Sequence, residues 1–399
     1  MAMKVAIIGG GIVGLATAHQ LLKRHPATKV LVLEKEKSAG QHQTGHNSGV
    51  LHCGLYYRPG SAKARLAVEG IRRMGAFCQE HGVPHEICGK TVVATAAEQI
   101  PRLHALLERG TANGVGGLQL LTPEQIRDYE PHARGVAGLR VPQEGIVDYA
   151  AVCAALVAQI GARGGEIRFQ SEVMRLRRNV CWRIGTRGGE YEADFLINCA
   201  GLQCDRVGRL AGVRDGAKIV PFRGEFYLLK PERQHLVKNL IYPVPDPKFP
   251  FLGVHFMRLI RGGVECGPNA SMALAREGYR RGDFSLRDTV ESLTYRGFWK
   301  FLLRHRAMCW EELKHRYIKK IFCRSLQRLV PEVQMEDLME GGCGVRAQAL
   351  SPEGELLQDF EFARQPGALH VLNAPSPAAT AALSIADEIV TMAEEAITS

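Results

Sequence analysis

The first thirty-four residues carry the pattern that most constrains the fold of this 399-residue chain. A β-branched apolar run over 4–8 leads into Gly9-x-Gly11-x-x-Gly14, and apolar residues then recur at helical spacing until Pro26. A second apolar strand follows and ends at Glu34. This order predicts a strand, a glycine turn, a helix and a second strand, which together form a dinucleotide-binding unit.

The glycines and the acid of this pattern each meet one requirement of dinucleotide binding. Gly9 allows the tight turn, Gly11 lets the backbone approach a pyrophosphate, and Gly14 lets the helix pack closely on the strand. The start of the helix offers free N–H groups to the phosphates. Glu34 would accept a hydrogen bond from a ribose 2′-hydroxyl and repel a 2′-phosphate, so the pattern predicts FAD or NAD rather than NADP.

Length and cysteine usage limit the class of protein. A chain of 399 residues suits two domains, or one large domain with a second grown into it. Its eleven cysteines are scattered without a Cys-x-x-Cys pair, which indicates reduced thiols in the cytoplasm and argues against disulfides or a zinc site. No apolar run approaches the length needed to span a bilayer.

The string TGHNSGVLHCGLYY, residues 44–57, allows three kinds of chemistry. His46, His52 and Cys53 could bind a metal, and Ser48 or Cys53 could be a nucleophile. No acidic residue interleaves the metal candidates, and Ser48 lacks the context of a catalytic triad. We therefore predict no metal, and a loop that lies along a planar ring.

Later motifs resemble one enzyme superfamily. A strand that ends in NCAG, followed by Asp205-Arg206, and the C-terminal NAPSPAAT are similar to the D-amino-acid-oxidase-like superfamily of FAD enzymes. Within it, seven blocks in order resemble the L-2-hydroxyglutarate oxidase/dehydrogenase family, across nearly the whole chain from residue 4 to about 390. The blocks are HQTGHNSGVLHCGLYYRPGSAKA, PFRGEF, IYPVPDPKFPFLGVHF, GPNA, REGYR, GVRAQAL and LNAPSPAATAA.

The resemblance implies an α/β fold, with a Rossmann-like FAD-binding domain and an interleaved α+β substrate domain whose mixed or antiparallel sheet covers the flavin. We expect the discontinuous FAD-binding domain over 1–88, 142–214 and 340–399, and the substrate domain over 89–141 and 215–339.

The activity implied by the resemblance is FAD-dependent oxidation of L-2-hydroxyglutarate, a dicarboxylate, to 2-oxoglutarate by hydride transfer from C2 to flavin N5. Electrons would pass to oxygen or to a membrane quinone, and we expect FAD to be bound non-covalently. The FAD contacts expected are Gly9, Gly11, Gly14, Glu34, Lys35, Thr44, Asn47, Ser48, Gly49, Val173, Ala200, Gly201, Pro375, Ser376, Ala378, Ala379 and Thr380.

The C-terminal block predicts a capped helix beside the flavin. Ser376 is a candidate N-cap and Pro377 suits the first helical position. The N–H groups of 378–380 would then face the ligand, and the helix dipole would stabilise negative charge on a reduced flavin. An ordinary capped terminal helix is the alternative.

Oxidation of a 2-hydroxy acid needs a cation for the carboxylate and a base for the hydroxyl proton. Arginine binds a carboxylate in a bidentate way, and Arg346 is the first candidate. Arg223 is the second, although an ion pair with Glu225 is nearly as good an explanation for it. His52 is predicted as the base or as an orienting residue, and His255 as a substrate contact, with a structural histidine as the alternative for each.

Tyr57 and Tyr242 are candidate hydroxyl donors to a substrate carboxylate.

A basic segment lies between Arg296 and Arg328. It holds ten Lys/Arg and two acids, which is +8 of the net charge of +10. The spacing predicts two helices, with Trp310, Leu313, Tyr317 and Ile321 on one face. The pair could pack on the substrate domain, or Phe298 and Trp299 could enter an anionic membrane surface. The second possibility would place a cytoplasmic protein on the inner face of the cell membrane.

Two other functions stay open. A related FAD enzyme that oxidises an amine such as glycine or sarcosine would share the fold and a cation like Arg346, and would need no base. An FAD protein that acts on tRNA would use the segment 296–328 as its RNA contact. That segment shows no known RNA-binding motif and no exposed aromatic residues among the basic ones, so we expect no nucleic-acid partner.

Overall fold

The computed structural model describes residues 2–214, 216–246 and 253–398. Its strands are β1 (Lys4–Ile8), β2 (Lys29–Leu33), β3 (Val50–Leu51), β4 (His85–Glu86), β5 (Lys90–Ala94), β6 (Gln119–Leu121), β7 (Ala137–Val141), β8 (Gly145–Val147), β9 (Glu166–Arg168), β10 (Val173–Arg178), β11 (Trp182–Thr186), β12 (Gly189–Ala193), β13 (Phe195–Asn198), β14 (Lys218–Leu229), β15 (Leu240–Pro243), β16 (His255–Arg258), β17 (Val264–Gly267), β18 (Ser271–Met272), β19 (Leu338–Leu350), β20 (Glu361–Gln365) and β21 (Ala368–Asn373). Its α-helices are α1 (Ile12–Arg24), α2 (Ala62–Glu80), α3 (Ile100–Ala112), α4 (Pro123–Tyr129), α5 (Tyr149–Ala162), α6 (Cys204–Leu210), α7 (Leu286–Leu293), α8 (Arg296–Arg304), α9 (Arg306–Tyr317), α10 (Lys319–Gln327) and α11 (Ala382–Thr398).

A six-stranded sheet in the order β20-β21-β13-β1-β2-β9 contains the predicted dinucleotide-binding unit. Its inner strands are parallel, and only β20 pairs with its neighbour in antiparallel fashion. Helices α1, α5 and α11 pack together on one face, and the small sheet β10-β11-β12 lies against the other. Because both faces are covered, β1 is apolar almost throughout, as its sequence predicts.

A second, mixed sheet has the order β18-β14-β17-β16-β15-β5-β7-β6, and β19 pairs along the length of β14. Strand β15 runs parallel to β5, and the other pairs are antiparallel. This confirms the predicted mixed sheet beside a Rossmann-like sheet. The strands of the first sheet all fall in the segments expected for the FAD-binding domain, whereas β19 crosses the expected boundary at 340 and joins the second sheet. The exact domain division stays a prediction.

The basic segment forms three helices, so the prediction of two was wrong. The chain leaves helical geometry at His305 and again at Ile318, which separate α8, α9 and α10. Phe301 of α8 and Phe322 of α10 are buried in two different apolar clusters. The helices on either side of the breaks thus bury their apolar residues in separate clusters.

Among the residues in 2–214, 216–246 and 253–398, no helix has both the length and the apolar character that crossing a bilayer requires.

Candidate functional site

The glycine turn joins β1 to α1 and leaves the backbone accessible to a ligand at one position. Gly9 has a φ of +109°, and a Cβ added there would lie 2.5 Å from the carbonyl oxygen of Cys199. A Cβ at Gly14 would lie 2.0 Å from the carbonyl oxygen of Gly9, so close packing of helix and strand excludes any side chain there. A Cβ at Gly11 would meet only the Thr44 hydroxyl, at 3.5 Å. The backbone at Gly11 is therefore open to a ligand.

Glu34 follows β2 and turns its carboxylate back to this glycine turn. One oxygen accepts a hydrogen bond from the N–H of Gly10 at 2.6 Å, and the other accepts from the N–H of Glu36 at 2.8 Å. The side chain is buried but lines the cavity described below. Two backbone donors thus fix a carboxylate at the place where the sequence pattern puts a ribose.

A cavity of about 1220 Å³ runs from the glycine turn to the second sheet. It exceeds the roughly 300–1,000 Å³ of a typical small-ligand pocket, so it has room for a dinucleotide and a second, small molecule. The predicted site residues that line it are Gly9, Gly11, Glu34, Lys35, Thr44, Asn47, Ser48, His52, Tyr57, Val173, Ala200, Gly201, Tyr242, His255, Arg346, Pro375, Ser376, Ala378, Ala379 and Thr380.

Three predicted site residues lie outside this lining. Gly14 packs beneath the turn, and Gly49 donates its N–H to the side chain of Asn47 at 2.8 Å. Arg223 is 4% exposed and pairs with Glu225, with Nη2 2.7 Å from Oε1, and its other branch donates to the carbonyl of Arg280 at 2.6 Å. The structure thus places Arg223 in the ion pair that was the alternative explanation for it, away from the cavity.

The start of the C-terminal helix differs from the prediction. Helix α11 begins at Ala382, and residues 375–381 form turns. The N–H of Ala378 donates to the carbonyl of Pro375 at 3.0 Å, so it is not a free donor as we expected. The N–H of Ala381 donates to the carbonyl of Pro377 at 3.0 Å and that of Ala382 to the carbonyl of Ala379 at 3.3 Å, so turns of different span precede the continuous helix. The turns still lie in the cavity wall.

Two stacked aromatic rings form part of the far wall. Tyr242 of β15 and His255 of β16 lie with ring centroids 3.9 Å apart. Burial lowers the pKa of His255 to about 3, more than the hydrogen bond to the carbonyl of Gly253 raises it. His255 is therefore neutral near pH 7. Because Nδ1–H donates to Gly253 at 2.7 Å, Nε2 is left as a hydrogen-bond acceptor.

Arg346 extends from β19, opposite Phe222 of β14, into the same wall. Burial lowers the pKa of its guanidinium, and the charge of Glu312 opposes that effect. Arginine remains protonated under such shifts. It therefore brings a positive charge to the end of the cavity that also holds His52 and His255.

Three charged residues of this region escaped the sequence analysis. Lys63 of α2 lines the cavity beside Tyr57, and Lys90 and Glu144 form a buried pair next to His52. A lysine at the start of the apolar run KTVVA was the available signal for Lys90. Lys63 and Glu144 lie in ordinary polar stretches of the sequence, which offered no signal of a site residue.

One group of possible metal ligands exists among the described residues, and the sequence analysis did not anticipate it. It consists of Glu36, His42 and Glu277. The ammonium of Lys35 already contacts all three, at 2.8 Å from Glu277 and from His42. Lys35 thus supplies the positive charge at this polar corner of the cavity. His46, His52 and Cys53, the ligands considered from sequence, do not form such a group.

Comparison with known proteins agrees with this geometry. The family model described as "FAD dependent oxidoreductase" matches residues 4–392. An L-2-hydroxyglutarate dehydrogenase of Indibacter alkaliphilus is 48% identical, over 96% of this chain and 97% of the relative. Proteins of the same name from Escherichia coli K12 (45%, over 98% of this chain and 93% of the relative) and from Homo sapiens (mitochondrial; 42%, over 96% and 88%) also match.

Solved structures agree on the fold. An L-alpha-glycerophosphate oxidase from Mycoplasma pneumoniae with FAD bound superposes with a TM-score of 0.81, at 21% identity, over 99% of this chain and 95% of that one. A glycine oxidase from Geobacillus kaustophilus gives 0.73 at 18% identity, over 99% and 95%. The bare backbone at Gly11, the fixed carboxylate of Glu34 and the long cavity fit the FAD that such proteins use. The chain belongs to the FAD dependent oxidoreductase family.

Proposed function

We propose that this protein oxidises L-2-hydroxyglutarate to 2-oxoglutarate with FAD as its cofactor. The observation that carries the proposal is that one continuous cavity joins the glycine turn and Glu34 at one end to His52, His255 and Arg346 at the other. Relatives at 42–48% identity named L-2-hydroxyglutarate dehydrogenase support the choice of substrate. A glycine oxidase at 18% identity and an L-amino acid deaminase from Proteus vulgaris at 14% also match, and such low identities support the fold alone.

FAD would be held by residues along the length of the cavity. The backbone at Gly9 and Gly11 would receive the pyrophosphate at the start of α1, and Glu34 the adenosine ribose. The loop 44–50 and the turns at 375–380 would enclose the rest. When bound, FAD supplies a hydride acceptor.

We propose that the cofactor is bound non-covalently. Cys199 and Cys204 line the cavity, and burial raises the pKa of both thiols. Cys53, whose thiol lies in the loop expected along the flavin, is fully buried outside that lining. Burial also raises the pKa of its thiol well above the ordinary value, so the reactive thiolate is suppressed.

Two cations of the cavity wall suit a dicarboxylate. We assign Arg346 to the C1 carboxylate, because a guanidinium can bind both oxygens. We assign Lys63 to the C5 carboxylate, where a single ammonium is sufficient. Tyr57 and Tyr242 would donate phenolic hydrogen bonds to these groups.

The hydroxyl at C2 needs an acceptor for its proton. His52 lines the cavity and is our candidate base. His255 is neutral and has Nε2 free of its bond to Gly253, so it can accept a hydrogen bond from the same hydroxyl and orient it. A base is required here because a hydroxyl, unlike an amine, does not lose its proton to water near neutral pH.

The electron acceptor we propose is a membrane quinone or oxygen, reached by a cytoplasmic protein that binds the inner face of the cell membrane. Trp299, Trp310 and Tyr317 are exposed on α8 and α9, within the segment of net charge +8. Exposed aromatic residues among lysines and arginines favour an anionic lipid surface. Phe298 is buried, so its predicted contact with lipid was wrong.

The same exposure corrects the argument used against RNA. Trp310 is 62% exposed and Tyr317 is 73% exposed, so the segment does present aromatic residues among basic ones. Nothing in the relatives' names points to nucleic acid, and we retain the membrane as the proposed partner. RNA becomes a control in the binding experiment below.

The substrate assignment is tested by Arg346→Ala. Loss of a charge-assisted contact of about 1.5–3 kcal/mol should raise the KM for L-2-hydroxyglutarate by roughly 10- to 150-fold, while the flavin spectrum and FAD content stay unchanged. The KM of Arg346→Lys should lie between those of Arg346→Ala and the wild type, because lysine keeps the charge and loses the planar fork. A KM equal to that of the wild type would remove Arg346 from the substrate site.

A further inference from the structure

A buried ion pair stands directly behind the candidate base. Lys90 begins β5, and Glu144 lies in the turn between β7 and β8. The Lys90 ammonium is 2.8 Å from Oε2 of Glu144, and both side chains are almost completely buried. Replacing such a pair by apolar residues of similar size is often neutral or stabilising, so stability alone does not explain it.

Sheet register brings this pair to His52. Strands β3 and β8 are antiparallel, with Leu51 opposite Gly145. The next pair along this register, just beyond the two strands, is therefore His52 and Glu144. The Nδ1 atom of His52 lies 3.6 Å from Oε2 of Glu144, the oxygen that also contacts Lys90.

The His52 ring has two different sides. Its Nδ1 is buried and makes no hydrogen bond shorter than 3.5 Å to the described residues, so the carboxylate of Glu144 at 3.6 Å is the acceptor available to it. The side chain keeps 16% of its surface exposed, on the cavity that it lines. The backbone N–H of His52 donates to the hydroxyl of Thr380 at 3.2 Å, and Thr380 is also bonded to Tyr149 at 2.8 Å. The residue is thus fixed at its backbone and faces a carboxylate with one ring nitrogen.

We infer that Glu144, with its charge balanced by Lys90, is the positioning residue of His52: its carboxylate holds Nδ1–H and leaves Nε2 as the proton acceptor toward the substrate. The inference rests on the proposed function, because it assigns a role within that reaction. The carboxylate would fix the tautomer and stabilise the imidazolium that forms.

In the proposed reaction the hydroxyl proton would move to Nε2 of His52 as the C2–O bond becomes a carbonyl. FAD, when bound, would supply the acceptor for the hydrogen that leaves C2 with its electron pair. His52 gains one positive charge, which the carboxylate of Glu144 offsets. Lys90 in turn keeps the carboxylate ionised: burial raises the pKa of Glu144, but Lys90 and His52 outweigh burial and lower it to about 2.

Within the described part of the chain, Glu144 is the one acidic residue that forms an ion pair with Lys90. Its ammonium lies 4.2 Å from the ring centre of Tyr56 and 4.9 Å from that of Tyr242. Among the residues that the structure describes, the titratable and charged groups around His52 are Cys53, Tyr56, Tyr57, Lys90, Glu144, Tyr242, His255 and Arg346. The three tyrosines and Cys53 have pKa values raised by burial, and His255 is neutral, so Glu144, Lys90 and Arg346 carry the charges.

Two single variants should move the pH profile in opposite directions. In Glu144→Gln the uncompensated Lys90 disfavours protonated His52, so the acidic limb of log kcat/KM for L-2-hydroxyglutarate should move about one unit or more to lower pH. In Lys90→Met the uncompensated Glu144 favours protonated His52, so the limb should move to higher pH. The double variant, which removes both charges, should return toward the wild type.

Controls separate this role from a packing role. Glu190→Gln removes an exposed carboxylate of β12 and should leave the profile in place. FAD content and thermal melting identify variants that do not fold. If one of the three variants folds, the acidic limb of its log kcat/KM profile still tests the effect of the charge on His52. Limbs that coincide with the wild type, or that move in the same direction in both single variants, would overturn the inference.

Failure of the proposed function would look different. It would appear as wild-type protein that does not oxidise L-2-hydroxyglutarate at any pH. In that case NMR titration of the His52 ring in wild type, Glu144→Gln and Lys90→Met still tests the charge coupling. Identical titration curves in all three would overturn it.

Discussion

Lys63 is a cation of the cavity wall whose charge depends on pH near neutrality. Its Nζ lies 4.9 Å from the ring centre of Tyr57 and 3.2 Å from the carbonyl oxygen of Gln358. Burial lowers its pKa to about 8, and the charge of Asp359 only partly opposes this. A cation that binds substrate would thus be lost within an experimentally accessible range.

We therefore predict that the KM for L-2-hydroxyglutarate rises as the pH passes above about 8. KM rises because deprotonation removes the ammonium that would hold the C5 carboxylate. Lys63→Met should show a high KM already below pH 8. Its KM should not rise further above pH 8, because the group that titrates there is missing. Steady-state assays with an artificial electron acceptor from pH 6.5 to about 9.5 provide the measurement.

The matched control is Lys23→Met, which removes an exposed lysine from α1. It should reproduce the wild-type profile. If Lys63→Met keeps the rise in KM above pH 8, another group is responsible and Lys63 does not bind the substrate.

At the scale of elements, α8 and α9 present apolar side chains to solvent among positive charges. Trp299, Leu303, Trp310 and Tyr317 are all exposed. Buried residues such as Phe298 and Phe301 hold α8 on the second sheet, so the exposed side chains are not needed for that packing. The segment therefore has the composition of an interfacial membrane contact.

We predict that the FAD-loaded protein pellets with vesicles of phosphatidylglycerol and much less with vesicles of phosphatidylcholine. Salt should weaken the binding, because lysine and arginine contribute through screened charges. Trp310→Ala should reduce the bound fraction, whereas Val180→Ala, an exposed apolar residue of the β10–β11 turn, should not.

Absence of salt-sensitive pelleting would contradict the membrane proposal. Single-stranded RNA as a competitor distinguishes the remaining explanation. If the protein binds RNA more tightly than anionic vesicles, the segment is a nucleic-acid contact instead.

Over the whole molecule, short-range patterns were the reliable guides to the fold. Strand β1, helix α1 and strand β2 follow from one continuous run of sequence, in which three glycines and Glu34 have fixed places. Helix α2 likewise begins at a local signal, because the Ser61 hydroxyl caps it by accepting from the N–H of Ala64. In each case neighbouring residues determine the local geometry, so no knowledge of the rest of the chain was needed.

Long-range pairing decided what the sequence could not show. Lys90 and Glu144 meet because β5 pairs with β7, which places Lys90 opposite Val141. The breaks that create α8, α9 and α10 depend on two apolar clusters supplied by other segments. Arg223 and Arg346 have similar sequence contexts, and only the positions of Glu225 and the cavity separate them.

The proposed function requires the cavity to hold FAD and L-2-hydroxyglutarate together in a productive arrangement. The most direct test is to mix the purified FAD-loaded protein with L-2-hydroxyglutarate without oxygen and to follow the visible absorbance of the flavin. We predict rapid bleaching by L-2-hydroxyglutarate and none by D-2-hydroxyglutarate, glycine or sarcosine. A flavin that stays oxidised with L-2-hydroxyglutarate, or that glycine or sarcosine bleaches instead, would contradict the claim.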